Sequence, residues 1–192
     1  MSTFLRGLVA VVFFVVPAVA QTIADRPYGG EERDWGVAIR SVPKTDELHA
    51  PTPTTIPGGR VVSTYVLSIE LGDPVPTLFD SDVTPPKPII INVLDGPSVR
   101  AIPGSIWLSA AGMGRFDELA QKRLAKRLIE LSHDNKAAPI VFYCLSSECW
   151  LSYNATLRAL GLGYFNAVWY RGGIEAWMAA QLPYDIVSRD EW

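Results

Sequence analysis

The stretch that decides the fold is "PIVFYCLSSECWLSYNA", which runs from Pro139 to Ala155 and contains both cysteines of the chain, Cys144 and Cys149. Its first five residues are a nearly unbroken apolar run, which is typical of a strand buried on both faces. The apolar spacing of its second half indicates a helix. The cysteine pair at this seam has four possible roles: a reactive thiol with a helper, a disulfide, two metal ligands, or two small core residues.

The segments on either side repeat this alternation of strand and helix. From the amino end, the sequence predicts a short strand in "RVVS" (60–63), a helix in "TYVLSIEL" (64–71) capped by Ser63, a buried strand in Ile89–Leu94, an amphipathic helix over 116–131 with Asp117 and Glu118 in its first turn, a strand in "NAVWY" (166–170) and a helix opening at "GGIEAWMAA" (172–180). Strands and helices in this order predict βα units on a mostly parallel sheet.

In that fold, Cys144 follows the carboxyl end of a buried strand, which is where open parallel sheets bind ligands. The backbone amides of residues 145–149 would lie at the amino end of the next helix, which stabilises an anion. A thiolate there can have its pKa lowered from about 8.5 to roughly 3.5–7.5. Because neither His49 nor His133 lies near a predicted strand end, both are expected at the surface, and the cysteine would act without a histidine.

The first 20 residues are predicted to be a secretory signal peptide. Arg6 precedes an apolar stretch that ends in Ala18-Val19-Ala20, a small-x-small cleavage signature, and the stretch is shorter than the about 20 apolar residues of a membrane span. The alternative is an uncleaved anchor. A secreted protein would work in an oxidising compartment, where a disulfide can persist.

The remaining chain divides into an extended, Pro- and Gly-rich arm over residues 21–59 and a regular domain over residues 60–192. Tyr28 and Trp35 are expected to attach the arm to the domain, although a flexible leader fits the same composition. Without the signal peptide, 16 basic and 20 acidic residues give a net charge of −4. The absence of a basic stripe argues against nucleic-acid partners and, once the signal is removed, against membrane partners.

Four stretches resemble the rhodanese domain, a persulfide-forming sulfurtransferase fold. They are "IPGSIWL" (102–108), "PIVFYC" (139–144), "CLSSEC" (144–149) and "VWYRGGIEAW" (168–177). The resemblance implies a three-layer α/β sandwich with a central, mostly parallel sheet of about five strands. It also implies that Cys144 accepts sulfane sulfur and that the amides of residues 145–149 cradle it.

The cysteine loop departs from the family pattern Cys-Arg-x-Gly-x-Arg, whose arginines hold an anionic donor. Leu145 and Cys149 replace the two arginines, Ser147 replaces the glycine, and Glu148 adds a negative charge. An anionic donor would lose charge-assisted hydrogen bonds worth about 1.5–3 kcal/mol each. We therefore expect weak activity with thiosulfate.

The sequence Cys149-Trp150, together with the leader, is similar to a periplasmic rhodanese-like group associated with alcohol catabolism by pyrroloquinoline quinone (PQQ) enzymes. That group is labelled by a Cys-x-x-Cys-Trp (CXXCW) motif, whereas four residues separate the two cysteines here. The similarity implies a periplasmic location. The sequence contains no evident cofactor-binding apparatus of its own, which leaves an externally supplied redox cofactor open.

Several roles within the predicted site remain open at this point. The predicted catalytic residues are Cys144 and Cys149, and the predicted substrate-binding loop consists of Leu145, Ser146, Ser147, Glu148 and Trp150. Cys149 is either a resolving thiol or a small core residue, and a disulfide requires Cα atoms within about 7 Å. Trp150 is either a packing residue or a stacking platform. Two thiols without nearby histidines make an incomplete metal site, so no metal is predicted.

Two classes of function follow from these residues. In the first, the protein is an enzyme, a sulfurtransferase or thiol–disulfide protein, whose partner is a small sulfur or thiol substrate or a periplasmic redox protein. In the second, it is a non-enzymatic accessory or binding module on a rhodanese scaffold that supports a PQQ-dependent dehydrogenase system. Because one fold hosts many functions, the cysteine loop has to decide between them.

Overall fold

The structure is a computed structural model that describes residues 23–72, 86–115 and 117–188. The predicted signal peptide, most of the proline-rich connection after the first helix, and Phe116 lie outside the described residues. No helix in the described ranges combines the length and the apolar character needed to cross a membrane.

Seven strands and four helices follow one another along the described residues. In chain order they are β1 (Arg60–Val62), α1 (Thr64–Leu71), β2 (Ile89–Asn92), β3 (Ser98–Ala101), β4 (Ile106–Trp107), α2 (Glu118–Ser132), β5 (Ile140–Tyr143), α3 (Trp150–Gly161), β6 (Ala167–Tyr170), α4 (Gly173–Ala179) and β7 (Asp185–Ser188).

Five of the strands form one parallel sheet in the order β1-β6-β5-β2-β4. β5 lies at its centre, and successive side chains of β5 enter opposite cores. Ile140 and Phe142 pack into one hydrophobic cluster, while Val141 and Tyr143 pack into another. This two-sided burial explains why the strand reads as a continuous apolar run.

Helices cover both faces of this sheet. One face packs against α2 and α3, and the other packs against α1 and α4. The helical residues in the two clusters include Leu124, Leu128, Leu151 and Ala155 on the first face, and Leu67, Ile174 and Trp177 on the second. The architecture is a rhodanese-like three-layer α/β sandwich, and the predicted fold class is confirmed.

The helix ends follow from capping side chains that the sequence displays. Ser63 caps α1 by accepting a hydrogen bond from the Val66 amide at 3.3 Å. Asp117 caps α2 by accepting from the Ala120 amide at 2.7 Å. A side-chain oxygen at this position satisfies an amide that the helix itself leaves unpaired, which fixes where each helix begins.

The sequence analysis missed two strands, β3 and β7, which pair antiparallel in a separate two-stranded sheet. Each is four residues long and half polar, with the sequences "SVRA" and "DIVS". Ile186 remains 74% exposed. In β3 the buried residues Val99 and Ala101 alternate with polar ones, but a four-residue alternation is too short to stand out in the sequence, and β7 has no such alternation.

Candidate functional site

Cys144 and Cys149 form a disulfide at the carboxyl end of β5. Cys144 directly follows the strand, and Cys149 is the residue that precedes α3 at its N-cap position. Their Cα atoms are 6.5 Å apart, within the range that a disulfide requires. Both residues are fully buried. Of the four roles that the sequence left open for the cysteine pair, the structure shows the disulfide.

A tight turn between the two cysteines brings them together. The Cys149 amide donates to the Ser146 carbonyl at 3.1 Å, and the Glu148 amide donates to the Ser146 hydroxyl at 3.3 Å. Glu148 is exposed and precedes the N-cap of α3. It therefore lies just outside the first turn of α3.

Three consecutive amides of the loop, those of Leu145, Ser146 and Ser147, donate to no residue in the described ranges. The serine side chains are buried, and Leu145 is half-buried. Consecutive unpaired amides in a turn form a concavity that suits an anionic atom. The predicted cradle over residues 145–149 is thus reduced to three available donors, because Glu148 and Cys149 use their amides within the loop.

The carbonyl side of the loop is attached to α4. The Cys144 and Leu145 carbonyls accept hydrogen bonds of 3.0 Å from the Ile174 and Glu175 amides. Gly173 makes this approach possible: its φ is +62°, and a Cβ there would lie 2.5 Å from the Leu145 carbonyl oxygen. The Gly-Gly turn of "VWYRGGIEAW" therefore allows α4 to pack directly against the cysteine loop.

Two further polar groups lie close to the Cys144 sulfur. Its Sγ is 3.1 Å from the Ser152 hydroxyl oxygen and 3.3 Å from the Cys149 carbonyl oxygen. The same Ser152 hydroxyl accepts a hydrogen bond from Nε1 of Trp169 at 2.9 Å. Ser152 is 1% exposed and Trp169 is fully buried, so this contact lies in the core. The sequence analysis assigned no role to either residue.

Trp150 belongs to an aromatic cluster rather than to an open surface. Its ring and that of Tyr153 are 5.0 Å apart, and Tyr153 is 5.0 Å from Trp169, both in edge-to-face geometry. The Trp150 indole nitrogen donates to the Pro51 carbonyl at 3.1 Å. With 2% of its surface exposed, Trp150 packs, and this favours the packing role over a stacking platform.

The amino-terminal arm covers the cysteine loop. Thr52 donates to the Ser147 carbonyl through its amide at 3.2 Å and its hydroxyl at 2.6 Å. The Ser147 hydroxyl donates in turn to the Gly30 carbonyl at 3.2 Å, and the Trp150 amide donates to the Leu48 carbonyl at 2.8 Å. These contacts place the arm over the loop, and the two cysteines lie in the hydrophobic cluster that also contains Leu124 and Leu151.

Arg171 holds the arm in this position. Its guanidinium donates to the Glu31 carbonyl, to the Arg33 carbonyl at 2.8 Å, and to the carbonyl and hydroxyl oxygens of Thr52 at 3.0 and 3.1 Å. The residue is 2% exposed, and its guanidinium carbon lies 5.2 Å from the centroid of the Trp35 ring. The one sequence signal for this contact is the position of the arginine, between a buried strand and the Gly-Gly turn.

The charged groups around this clamp have perturbed pKa values. Burial lowers the pKa of Arg171, and the nearby Asp34 and Glu31 carboxylates partly oppose this. Burial raises the pKa of Glu31 above its ordinary value of 4.5, although hydrogen bonds from Thr64 and Tyr28 oppose the rise. Thr64 donates to one Glu31 carboxylate oxygen through both its amide (2.8 Å) and its hydroxyl (2.7 Å).

Tyr143, the last residue of β5, positions the turn in "IPGSIWL" (102–108), one of the four stretches that resemble the rhodanese domain. Burial raises the pKa of Tyr143 to about 12, so its hydroxyl stays protonated at neutral pH. That hydroxyl accepts from the Ile102 amide at 2.9 Å and lies 2.9 Å from the Ser105 hydroxyl. The conformation of "IPGSIWL" is thereby tied to the strand that delivers Cys144.

In the described ranges, no group of three or more histidine, cysteine, aspartate or glutamate side chains is arranged to hold a metal ion. A cavity of about 500 Å³ lies beside Trp150 and is lined on its other side by arm residues that include Trp35, Arg40 and Lys44. Neither cysteine lines it. Access to the disulfide from this cavity would therefore require the arm to move.

Comparison with known proteins gives one family match. The model of the rhodanese-like domain family matches residues 87–180, which include the cysteine loop and α4. No curated protein matches the chain. A solution NMR structure of a rhodanese-like domain from an Anabaena protein aligns at 18% identity over 52% of this chain and 66% of that chain, with a TM-score of 0.35. This chain thus spans slightly less than two thirds of that structure, and the match to the rhodanese-like domain family concerns residues 87–180.

Proposed function

We propose, from the premise that residues 87–180 form a rhodanese-like domain, that the protein is a periplasmic sulfur-transfer and thiol–disulfide protein. In this proposal Cys144 accepts sulfane sulfur and Cys149 is the resolving thiol. The observation that carries it is the disulfide between these residues at the carboxyl end of β5. A rhodanese loop with a second cysteine in bonding distance can discharge its persulfide internally.

The proposed cycle has three balanced steps. The Cys144 thiolate attacks the outer sulfur of a persulfide donor, takes that sulfur as a persulfide and releases the donor as a thiolate. The Cys149 thiolate then attacks the Cys144 sulfur, forms the disulfide and expels hydrosulfide. A dithiol redox protein finally reduces the disulfide by thiol–disulfide exchange and is itself oxidised to a disulfide.

The loop lacks the arginines that would bind the doubly charged thiosulfate ion, which favours a persulfide as the sulfur donor. Leu145 and Cys149 stand where arginines would bind an anion, and Glu148 faces solvent beside them. A sulfane sulfur atom or a developing thiolate can still be stabilised by the three available amides, which carry no net charge. We therefore assign the donor to the class of low-molecular-weight or protein persulfides.

We place this activity in the context of PQQ-dependent alcohol catabolism. The support is the resemblance of the Cys149-Trp150 loop end, behind the predicted signal peptide, to the periplasmic group associated with that metabolism. A cell whose only copy carries Cys144→Ser should then grow poorly on an alcohol that it oxidises through a PQQ enzyme. Equal growth of the variant and wild-type cells would contradict a role for the thiol.

Persulfide formation is the direct test of the proposed chemistry. The Cys149→Ser variant, reduced and then incubated with glutathione persulfide, should gain one sulfur atom by intact mass, because its persulfide has no resolving thiol. Wild-type protein under the same conditions should instead lose two hydrogens as the disulfide forms and hydrosulfide is released. A Cys144→Ser control should show neither change. A Cys149→Ser variant that gains no sulfur would refute sulfur transfer.

A second function, the accessory module, is favoured by the complete burial of both cysteines, which lie in a hydrophobic core cluster. In that case the disulfide is a structural link between β5 and α3, and the arm presents a binding surface. The two functions differ in the response to Cys144→Ser with Cys149→Ser. A structural link would lose stability while its binding function persists, whereas the proposed enzyme would lose all activity.

A further inference from the structure

The buried hydroxyl of Ser152 has a defined orientation toward the disulfide. Ser152 lies in the first turn of α3, and its Oγ is 3.1 Å from the Cys144 sulfur. The Trp169 indole N–H donates to this oxygen at 2.9 Å. An indole nitrogen is a donor only, so it occupies an acceptor site of the hydroxyl and leaves the serine hydrogen for another partner. The sulfur is the remaining contact of that hydroxyl in the described ranges.

The two sulfur atoms of the disulfide therefore differ in their surroundings. In the described ranges the Cys144 sulfur has the Ser152 hydroxyl and the Cys149 carbonyl as polar neighbours, and the Cys149 sulfur has no polar contact. A carbonyl can accept from a thiol but cannot stabilise a thiolate, whereas a hydroxyl can donate to one. No charged side chain contacts either sulfur in these ranges. Glu148, the charged residue closest to the two cysteines in the sequence, is exposed.

We propose that Ser152, oriented by Trp169, donates a hydrogen bond to the Cys144 thiolate and thereby makes Cys144 the leaving group when a partner thiol reduces the disulfide. This inference rests on the proposed function and assigns the order of its last step. The thiolate of the partner dithiol attacks the Cys149 sulfur and forms a mixed disulfide, and the bonding electron pair leaves with Cys144 as a thiolate. The second partner thiolate then attacks the mixed disulfide, releases Cys149, which takes a proton, and leaves the partner oxidised.

This order completes the proposed cycle without a proton transfer at Cys144. Reduction leaves Cys144 as a thiolate, which is the form that attacks the next persulfide donor. A leaving group that is stabilised as an anion also departs faster in thiol–disulfide exchange. Ser152 thus contacts a reacting atom in both the reductive and the sulfur-accepting step, and Trp169 acts as its positioning residue.

The test is a titration of the Cys144 thiolate by its ultraviolet absorbance in the Cys149→Ser background, which requires no reagent to reach the buried sulfur. Adding Ser152→Ala should raise the pH at which half of Cys144 is ionised by about one to two units, the size expected for one hydrogen bond to a charged group. Ser152→Thr keeps a hydroxyl and should restore the midpoint.

Thr156→Val is the matched control. Thr156 is buried on the same helix one turn later, and its hydroxyl donates to the Ser152 carbonyl at 2.8 Å without contacting sulfur. It should leave the midpoint unchanged although it removes a buried hydroxyl. If Ser152→Ala leaves Trp169 unpaired and the protein unfolds, the double variant Ser152→Ala with Trp169→Phe removes both partners and should show the same raised midpoint.

The redox equilibrium gives an independent readout with both cysteines present. Ser152→Ala should make the disulfide about tenfold harder to reduce in a glutathione buffer, which corresponds to about 30 mV. An unchanged midpoint and an unchanged equilibrium in a folded Ser152→Ala variant would overturn the role of Ser152. Failure of the Cys149→Ser variant to gain sulfur would instead overturn the proposed function, and the titration would still decide the role of Ser152.

Discussion

Replacing Arg171 should expose the disulfide to reductants. The guanidinium makes four hydrogen bonds to arm residues, and the arm in turn covers the loop through Thr52. Arg171→Leu leaves buried carbonyl groups without a donor, and each such group costs about 1–3 kcal/mol. Detachment of the arm exposes these carbonyl groups to water, which removes part of this cost and so favours the detached state. We therefore expect arm docking to weaken by about 3 kcal/mol.

A loss of that size raises the detached fraction of the arm roughly a hundredfold. If the arm must detach before a thiol reaches the disulfide, the rate of reduction by dithiothreitol should rise by about the same factor. Hydrogen exchange at the Thr52 and Trp150 amides, which bond across the arm–loop contact, should accelerate in parallel. Arg171→Lys retains the positive charge but only some of the hydrogen-bond donors of the guanidinium, so its rate of disulfide reduction should lie between those of Arg171→Leu and wild type.

The control is Arg158→Leu. Arg158 is a second buried arginine that donates to backbone carbonyls, those of Met113 and Gly114, near the other end of α3. It should lower global stability without a selective change in the reduction rate. The reasoning is refuted if Arg171→Leu accelerates exchange at Thr52 while the disulfide is reduced at the wild-type rate, because the arm would then not limit access.

Three further outcomes follow from the site. Gly173→Ala should destabilise the protein by more than Gly58→Ala. Both glycines have a positive φ, which costs about 1–2 kcal/mol for alanine, but of the two only Gly173 would bring a Cβ within 2.5 Å of backbone atoms. Urea unfolding of the two variants measures both losses of stability, and equal losses would contradict the close approach. Because burial raises the pKa of Glu31, the folded state binds a proton there more tightly than the unfolded state. The free energy of unfolding should therefore fall as the pH rises from about 4.5 through the raised pKa. The fall should be less steep in Glu31→Gln than in wild type, and identical slopes would rule the effect out. Thiosulfate:cyanide activity, measured as thiocyanate production, should be weak in wild type and higher in Leu145→Arg. Leu145→Gln is the uncharged control. Equal activity of the Arg and Gln variants would mean that the missing positive charge does not limit the use of thiosulfate.

The layered fold was predictable because its central strands are buried on both faces. The runs Ile89–Asn92, Ile140–Tyr143 and Ala167–Tyr170 are apolar at every position except Asn92, which makes them visible in the sequence. Strand β7 is largely exposed, and its pairing with β3 joins residues 84 to 90 positions apart, for which a single sequence carries no signal.

The site was predictable only along the chain. Cys144 and Cys149 are neighbours in sequence and both lie at a strand–helix junction, so their proximity followed from the local pattern. Ser152 and Trp169 lie on different elements, and their contact depends on how α3 packs on β6. The clamp between Arg171 and the arm is more distant still, since it joins residues separated by 119 to 140 positions.

The arm illustrates why composition alone was insufficient. Prolines and glycines made residues 21–59 look irregular, and they are irregular in the sense that residues 23–59 contain no helix or strand. Nevertheless Tyr28, Thr52 and Ile56 are buried. An extended segment can be held by hydrogen bonds to side chains such as Tyr153 and Asn154, which contact Arg40 and Lys44, without any periodic pattern of its own.

The central claim is that Cys144 and Cys149 form a working redox pair in the cell. The most direct measurement is the intact mass of the protein, purified from cells without reductant and with free thiols trapped by acid, beside a Cys149→Ser control. We predict that wild type is two hydrogens lighter than its reduced form and that the control carries an additional sulfur that reductant removes. Wild-type protein with both thiols free, together with an unmodified control, would contradict the claim.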